Sequence, residues 1–177
     1  YIVNWRLTRV GAVSDGMPGV TVPYEAFTGS IGVLPGEPEI KKWKAREADL
    51  AGANGVVLGP SPEGAKPSAV CGQTGTNKDD CLRTIPPREN GGNMDVQQQQ
   101  IGTKIIFPCF IDGCGLFVGD VHYAQGDGEV SGTAIEMGSV LTVRVRILYG
   151  KGRDMDMPVT IGNDQIIDME PTRYYQT

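Results

Sequence analysis

The stretch Leu141-Thr142-Val143-Arg144-Val145-Arg146-Ile147-Leu148-Tyr149 alternates in polarity. Leu141, Val143, Val145 and Ile147 fall on one side at period two, with Thr142, Arg144 and Arg146 on the other, which predicts a half-buried strand. Working outward, Lys104-Ile105-Ile106-Phe107 and Leu116-Phe117-Val118 are short apolar runs rich in β-branched and aromatic residues. Asp112-Gly113-Cys114-Gly115 between them has turn chemistry, so a hairpin is expected there. Further strands are expected near Ile2–Val13, Ile31–Leu34, Met157–Ile161 and Gln165–Met169, punctuated by glycine and proline. Many short strands joined by such turns predict a mainly β fold, a β-sandwich or jelly-roll-like arrangement with one or two short helices.

One helix is predicted, over Pro38–Ala51. It starts with a proline where a first turn tolerates it, puts Ile40, Trp43 and Ala48 on one side for packing, and meets Gly52. From Gly52 to about Thr84 the frequent Gly, Pro, Ser, Asn and Lys show no periodicity, which reads as a long surface loop. With 177 residues the chain is expected to form a single domain. It begins at Tyr1 with an apolar run already under way and stops on Tyr174-Tyr175-Gln176-Thr177, which reads as a fragment or processed portion of a longer polypeptide.

Charge narrows the partners. A net charge of −5 repels phosphate backbones and anionic membrane surfaces, so no nucleic acid and no membrane partner is expected. The absence of an apolar run of about 18 residues or a basic-then-apolar leader sets cytoplasmic as the expected location. Cys71, Cys81, Cys109 and Cys114 match neither zinc-ribbon spacing nor a dense disulfide scaffold. They are expected to be reduced, and Cys109 to be a small buried residue rather than a nucleophile.

The chemistry concentrates around the single histidine, in Gly119-Asp120-Val121-His122-Tyr123-Ala124-Gln125-Gly126-Asp127-Gly128-Glu129. On a strand, Asp120 and His122 project from one face, and Asp127 and Glu129 repeat the spacing after a glycine-flanked turn. Imidazole plus carboxylates suits zinc or another divalent first-row ion. A lone histidine is more often a structural hydrogen-bonding residue, and Gly-Asp-Gly is common in solvated turns; the acidic turn brings the two readings level. An EF-hand is disfavoured because its ligand spacing is missing. A second cluster, Pro86-Pro87-Arg88-Glu89-Asn90-Gly91-Gly92-Asn93-Met94-Asp95, stiffens its entry with two prolines and uses two glycines for close approach or positive φ. Its polar groups are Arg88, Glu89, Asn93 and Asp95, read either as an ordinary turn with a local ion pair or as a functional loop.

Together with Phe107-Pro108 and Gly132-Thr133-Ala134-Ile135-Glu136, these two clusters resemble the acetamidase/formamidase family. Pro18-Gly19-Val20 and Gly29-Ser30-Ile31-Gly32 extend the likeness, which runs from about Pro18 to Tyr149. The resemblance implies a sandwich-like β enzyme that hydrolyses small aliphatic amides to a carboxylate and ammonia. A γ-lactam hydrolase among the family's members adds cyclic amides as an alternative. Family members are longer, so walls of the pocket, further ligands and subunit contacts are expected in remaining parts of a longer chain, and a homo-oligomer is expected.

On this reading His122, Asp120 and Asp95 hold a divalent metal, zinc first and calcium or another ion second. Glu129 is the general base, with Asp127, Arg88 and Asn93 completing the catalytic group and Gln125 and Gly126 near the substrate. A rival of another class is a non-catalytic β module that binds a metal or small ligand.

Overall fold

A computed structural model describes residues 2–52 and 65–168. The fold is mainly β, with its strands in three small antiparallel sheets. The first is a meander of β1 (Arg6–Leu7), β2 (Ala12–Val13) and β3 (Thr21–Val22). The second, in the order β5-β4-β7-β8, joins β4 (Phe27–Gly32), β5 (Gly91–Asn93), β7 (Phe117–Ala124) and β8 (Ile135–Glu136). The third, in the order β10-β9-β6, joins β6 (Lys104–Ile106), β9 (Val159–Ile161) and β10 (Ile166–Asp168).

The second sheet carries the site. β4 and β7 pair from Phe27↔His122 to Gly32↔Phe117, which buries most of β4 and the C-terminal half of β7. Ala12, Tyr123, Ala124 and Ile135 form a core cluster, with Trp5, Val22 and Met137 packed against it. The Tyr123 hydroxyl donates to the Thr8 carbonyl at 2.6 Å, tying the meander to β7. Burial of Tyr123 on this scale is worth roughly 2–3 kcal/mol of transfer free energy.

Helix α1 runs over Glu37–Gly52, close to its predicted span. Trp43 is fully buried and meets Phe110 edge-on, with ring centroids 5.7 Å apart. Ala48 is exposed, however, and the inward position one residue earlier is taken by Glu47, which is 1 % exposed. Glu47 bridges two arginines, accepting from Arg83 Nε at 3.0 Å and Arg88 Nε at 2.6 Å. On the same helix Arg46 grips Glu89 with both guanidinium ends, at 2.8 and 2.9 Å. Burial alone would raise the Glu89 carboxyl, but the hydrogen bonds and charge of Arg46 hold it below the ordinary glutamate range. The helix therefore clamps the Pro86–Asp95 loop by buried ion pairs, which a charged run read along a sequence does not reveal.

Three expectations are corrected. The hairpin from Lys104–Phe107 to Leu116–Val118 does not form: β6 pairs with β9 and β7 with β4. The turn itself is real, with Gly113, Cys114 and Gly115 all at positive φ, but it closes a small loop through the Cys109–Cys114 disulfide. The cysteines are paired, Cys71 with Cys81 and Cys109 with Cys114, because turns bring residues together whose spacing carries no motif. The predicted 52–84 loop falls partly outside the described residues; its described part holds α2 (Ser68–Cys71) and a 3₁₀ turn at Lys78–Asp80, joined by the first disulfide. Finally, Leu141–Tyr149 has no ladder partner among the described residues, and the row Leu141, Val143, Val145 and Ile147 is 44–61 % exposed. Alternation encodes a face to be covered and says nothing of what covers it.

Candidate metal centre

The centre is built on β7. Asp120 adopts φ +54°, a left-handed value inside a strand, and the β4–β7 register passes over Gly29 and Asp120. His122, two residues on, is 1 % exposed, with its ring edge-on to Phe27 at 5.1 Å. Its Nε2 lies 3.3 Å from Asp120 Oδ1, so the two side chains do converge on one face.

Asp95 arrives from the loop after β5. The backbone N–H groups of Met94 and Asp95 both donate to the Gly29 carbonyl at 3.0 Å, which draws the loop over β4. Gly29 is what permits the approach: a Cβ there would lie 2.8 Å from Asp95 Oδ1 and 2.8 Å from His122 Cε1. A glycine inside a strand often marks such close passage, and this was the signal available in the sequence.

Two further acids complete the cluster. β8 pairs with β7 so that Glu136 stands opposite His122, and Glu136 Oε2 lies 3.4 Å from His122 Nε2. Sequence reasoning missed Glu136, because only the strand pairing brings it to the imidazole. Glu129 sits on the 3₁₀ turn Asp127–Glu129 at φ +47°, close enough to the Asp95 carboxyl to raise its pKa. Donor atoms of Asp95, Asp120 and His122 lie within 4.8 Å of one another, as do those of His122, Glu129 and Glu136. Asp95, Asp120 and Glu129 all hold positive φ, each at a backbone cost on the order of 1–3 kcal/mol that the surrounding structure must offset.

The other predicted residues are distributed around this centre. Gln125 uses both ends of its amide within it, Oε1 facing His122 Nδ1 at 2.9 Å and Nε2 donating to the Asp95 carbonyl at 2.7 Å. Asn93 is linked through Ser30, whose hydroxyl oxygen lies 2.9 Å from Asn93 Oδ1 and 3.3 Å from Asp120 Oδ2. Ser30 and Asn93 also line a cleft of about 430 Å³. Asp127 accepts a hydrogen bond from Gln97 Nε2 and belongs to neither ligand group; Gly126 begins the turn that carries Glu129. Arg88 donates to Glu47 and to the carbonyls of Arg83 and Pro86, which anchors the loop; its Nη2 is buried without a hydrogen-bond partner, and the residue lines the same cleft as Ser30 and Asn93.

Electrostatics follow from crowding acids around one buried ring. Burial first, then the charge of Glu129, push the Asp95 carboxyl up to about 7, with His122 opposing the shift. His122 Nε2 and Asp95 Oδ1 are buried with no hydrogen-bond partner. Orphaned buried polar atoms are costly and call for an explanation. A divalent cation would supply one: it would satisfy both atoms and offset the repulsion among the acids, and one imidazole nitrogen with carboxylate oxygens is a donor set suited to such an ion. The separations of 3.3 and 3.4 Å fit two donors sharing one small ion at bond lengths of about 2.0–2.2 Å. Asp120 and Glu136 are part-exposed, so the centre opens to solvent on their side.

Comparison with known proteins places these features in context. Residues 1–176 match the model of the Acetamidase/Formamidase family. The chain is 34 % identical over 160 residues to an acetamidase of Mycolicibacterium smegmatis, covering 85 % of this chain and 39 % of that protein. It is 30 % identical over 151 residues to a formamidase of Methylophilus methylotrophus, covering 81 % and 37 % respectively. Among solved structures it resembles a gamma lactamase from Delftia acidovorans, with a TM-score of 0.67 and 30 % identity over 91 % of this chain and 42 % of that one. The chain thus spans about two fifths of the length of the relatives it matches.

Proposed function

We propose, from the premise that this chain belongs to the acetamidase/formamidase family, that it carries the metal-binding part of a hydrolase for small aliphatic amides. The reaction consumes an amide and water and yields a carboxylate and ammonia. The observation that carries this reading is the unpartnered His122 Nε2, buried and flanked at 3.3 and 3.4 Å by the carboxylates of Asp120 and Glu136. His122, Asp120 and Asp95 would hold the ion, zinc by preference over calcium or another divalent ion, with Glu136 within reach as a further ligand. When bound, such an ion lowers the pKa of a coordinated water toward ~7 and polarises a carbonyl oxygen.

The chain's own groups then have distinct tasks. Glu129 faces Asp95 across the centre and is the general base that takes a proton from water and returns it to the leaving nitrogen. Asn93 and Ser30 present hydrogen-bonding groups between the cleft and Asp120, where they orient an amide. Arg88 and Asp127 act at one remove, Arg88 by fixing the loop that carries Asp95 and Asp127 by fixing the turn that carries Glu129. The likeness to the gamma lactamase favours a cyclic amide as the second reading.

Ammonia release from formamide, acetamide and a γ-lactam, measured with zinc and with a chelator, tests the proposal. Release that the chelator abolishes and zinc restores supports it. No release from zinc-loaded, family-length protein carrying this chain would favour the non-catalytic module.

A further inference from the structure

Gln125 stands where the imidazole is aimed. Its amide orientation follows from its partners: the Asp95 carbonyl can only accept, so the end facing it at 2.7 Å must be the NH₂ group. That leaves Oε1 facing His122 Nδ1 at 2.9 Å. A carbonyl oxygen cannot donate, so Nδ1 carries the ring proton, and in the neutral ring the lone pair falls on Nε2. Nε2 is the atom that lies buried without a hydrogen-bond partner between Asp120 and Glu136.

We propose that Gln125 is a positioning residue that sets the tautomer of His122 and couples it to the backbone of Asp95, so that one amide fixes two ligands from different segments. The inference rests on the reading of this centre as a metal site, but its geometry stands apart from any turnover. Gln125 closes a circuit that β7 alone cannot, because His122 comes from a strand and Asp95 from a loop that lies thirty residues before Gln125 in the chain. Partners behind metal-binding histidines typically change metal affinity by about 10–100-fold when removed. The carboxamide also suits the position better than a carboxylate, since only the amide can donate to the Asp95 carbonyl while accepting from the ring.

His122 is the only histidine, so ¹⁵N-histidine labelling reports a single imidazole. In the metal-free wild-type chain at alkaline pH, Nδ1 should give the protonated signature and Nε2 the unprotonated one. Gln125→Met, which fills the space without hydrogen bonds, should give mixed tautomers and a zinc affinity lowered about 10–100-fold. Gln125→Glu keeps an acceptor for Nδ1–H and should retain the wild-type tautomer while losing the tie to Asp95. An Nε2–H ring in the wild type, or a Gln125→Met ring indistinguishable from it in a folded chain, would overturn the inference. If the tautomer follows Gln125 but the wild-type chain takes up no zinc, the positioning role is supported and the amidase reading is the part that fails.

Discussion

Asp95 shows how a residue's surroundings change its chemistry. Its carboxyl is raised from 3.8 to about 7, first by burial and then by Glu129. Between those values the folded, metal-free chain holds a proton that the unfolded chain has released, so its stability should fall as pH rises from about 4 to about 7. Melting curves of the chelator-treated chain across that range check the sign, and Asp95→Asn should flatten the slope. A slope that Asp95→Asn leaves unchanged would place the proton elsewhere. At this scale the sequence was informative where spacing was short. Asp120 and His122 could be paired by strand alternation, and Glu129 by its place in the acidic turn. Glu136 could not, because fourteen residues of chain separate it from His122 and only the β7–β8 register brings them face to face.

Among the elements, α1 carries more than its apolar face. Glu47 lies between the guanidinium groups of Arg83 and Arg88, both buried, and Arg88 opens the loop that ends at Asp95. Removing one partner of such a buried group leaves uncompensated charge and typically costs about 3–5 kcal/mol. Glu47→Ala should therefore lower the unfolding free energy by about that amount, whereas Glu37→Ala, at the exposed start of the same helix, should change it by no more than about 0.5 kcal/mol. Denaturant titration of the two variants side by side measures the difference. The helix was legible from its proline start, its Trp43 and its glycine end. Its inward glutamate was not, because a charged residue in a run of charges reads as solvated until the arginines from another segment are placed against it.

For the whole molecule, three small sheets are built from segments distant in the chain, and two disulfides, spanning ten and five residues, close local loops between them. Thiol titration of the chain unfolded without reductant should find no free cysteine, and four after reduction. Free thiols before reduction would return the cysteines to the state their spacing suggested. No helix among the described residues is long and apolar enough to cross a membrane. Composition, polarity and turn residues were enough to read a mainly β chain with one substantial helix, and the local motifs around His122 and Pro86–Asp95 were enough to point to a family and a chemistry. Those are short-range properties, written in neighbouring residues. Which strand pairs with which, that Lys104–Ile106 joins Val159–Ile161, that Glu136 meets His122, and that Gly29 lets Asp95 in, depend on contacts between residues far apart in the chain. Local preference cannot rank such pairings, because burial, backbone hydrogen bonding and like-charge repulsion act only once the segments are brought together in space.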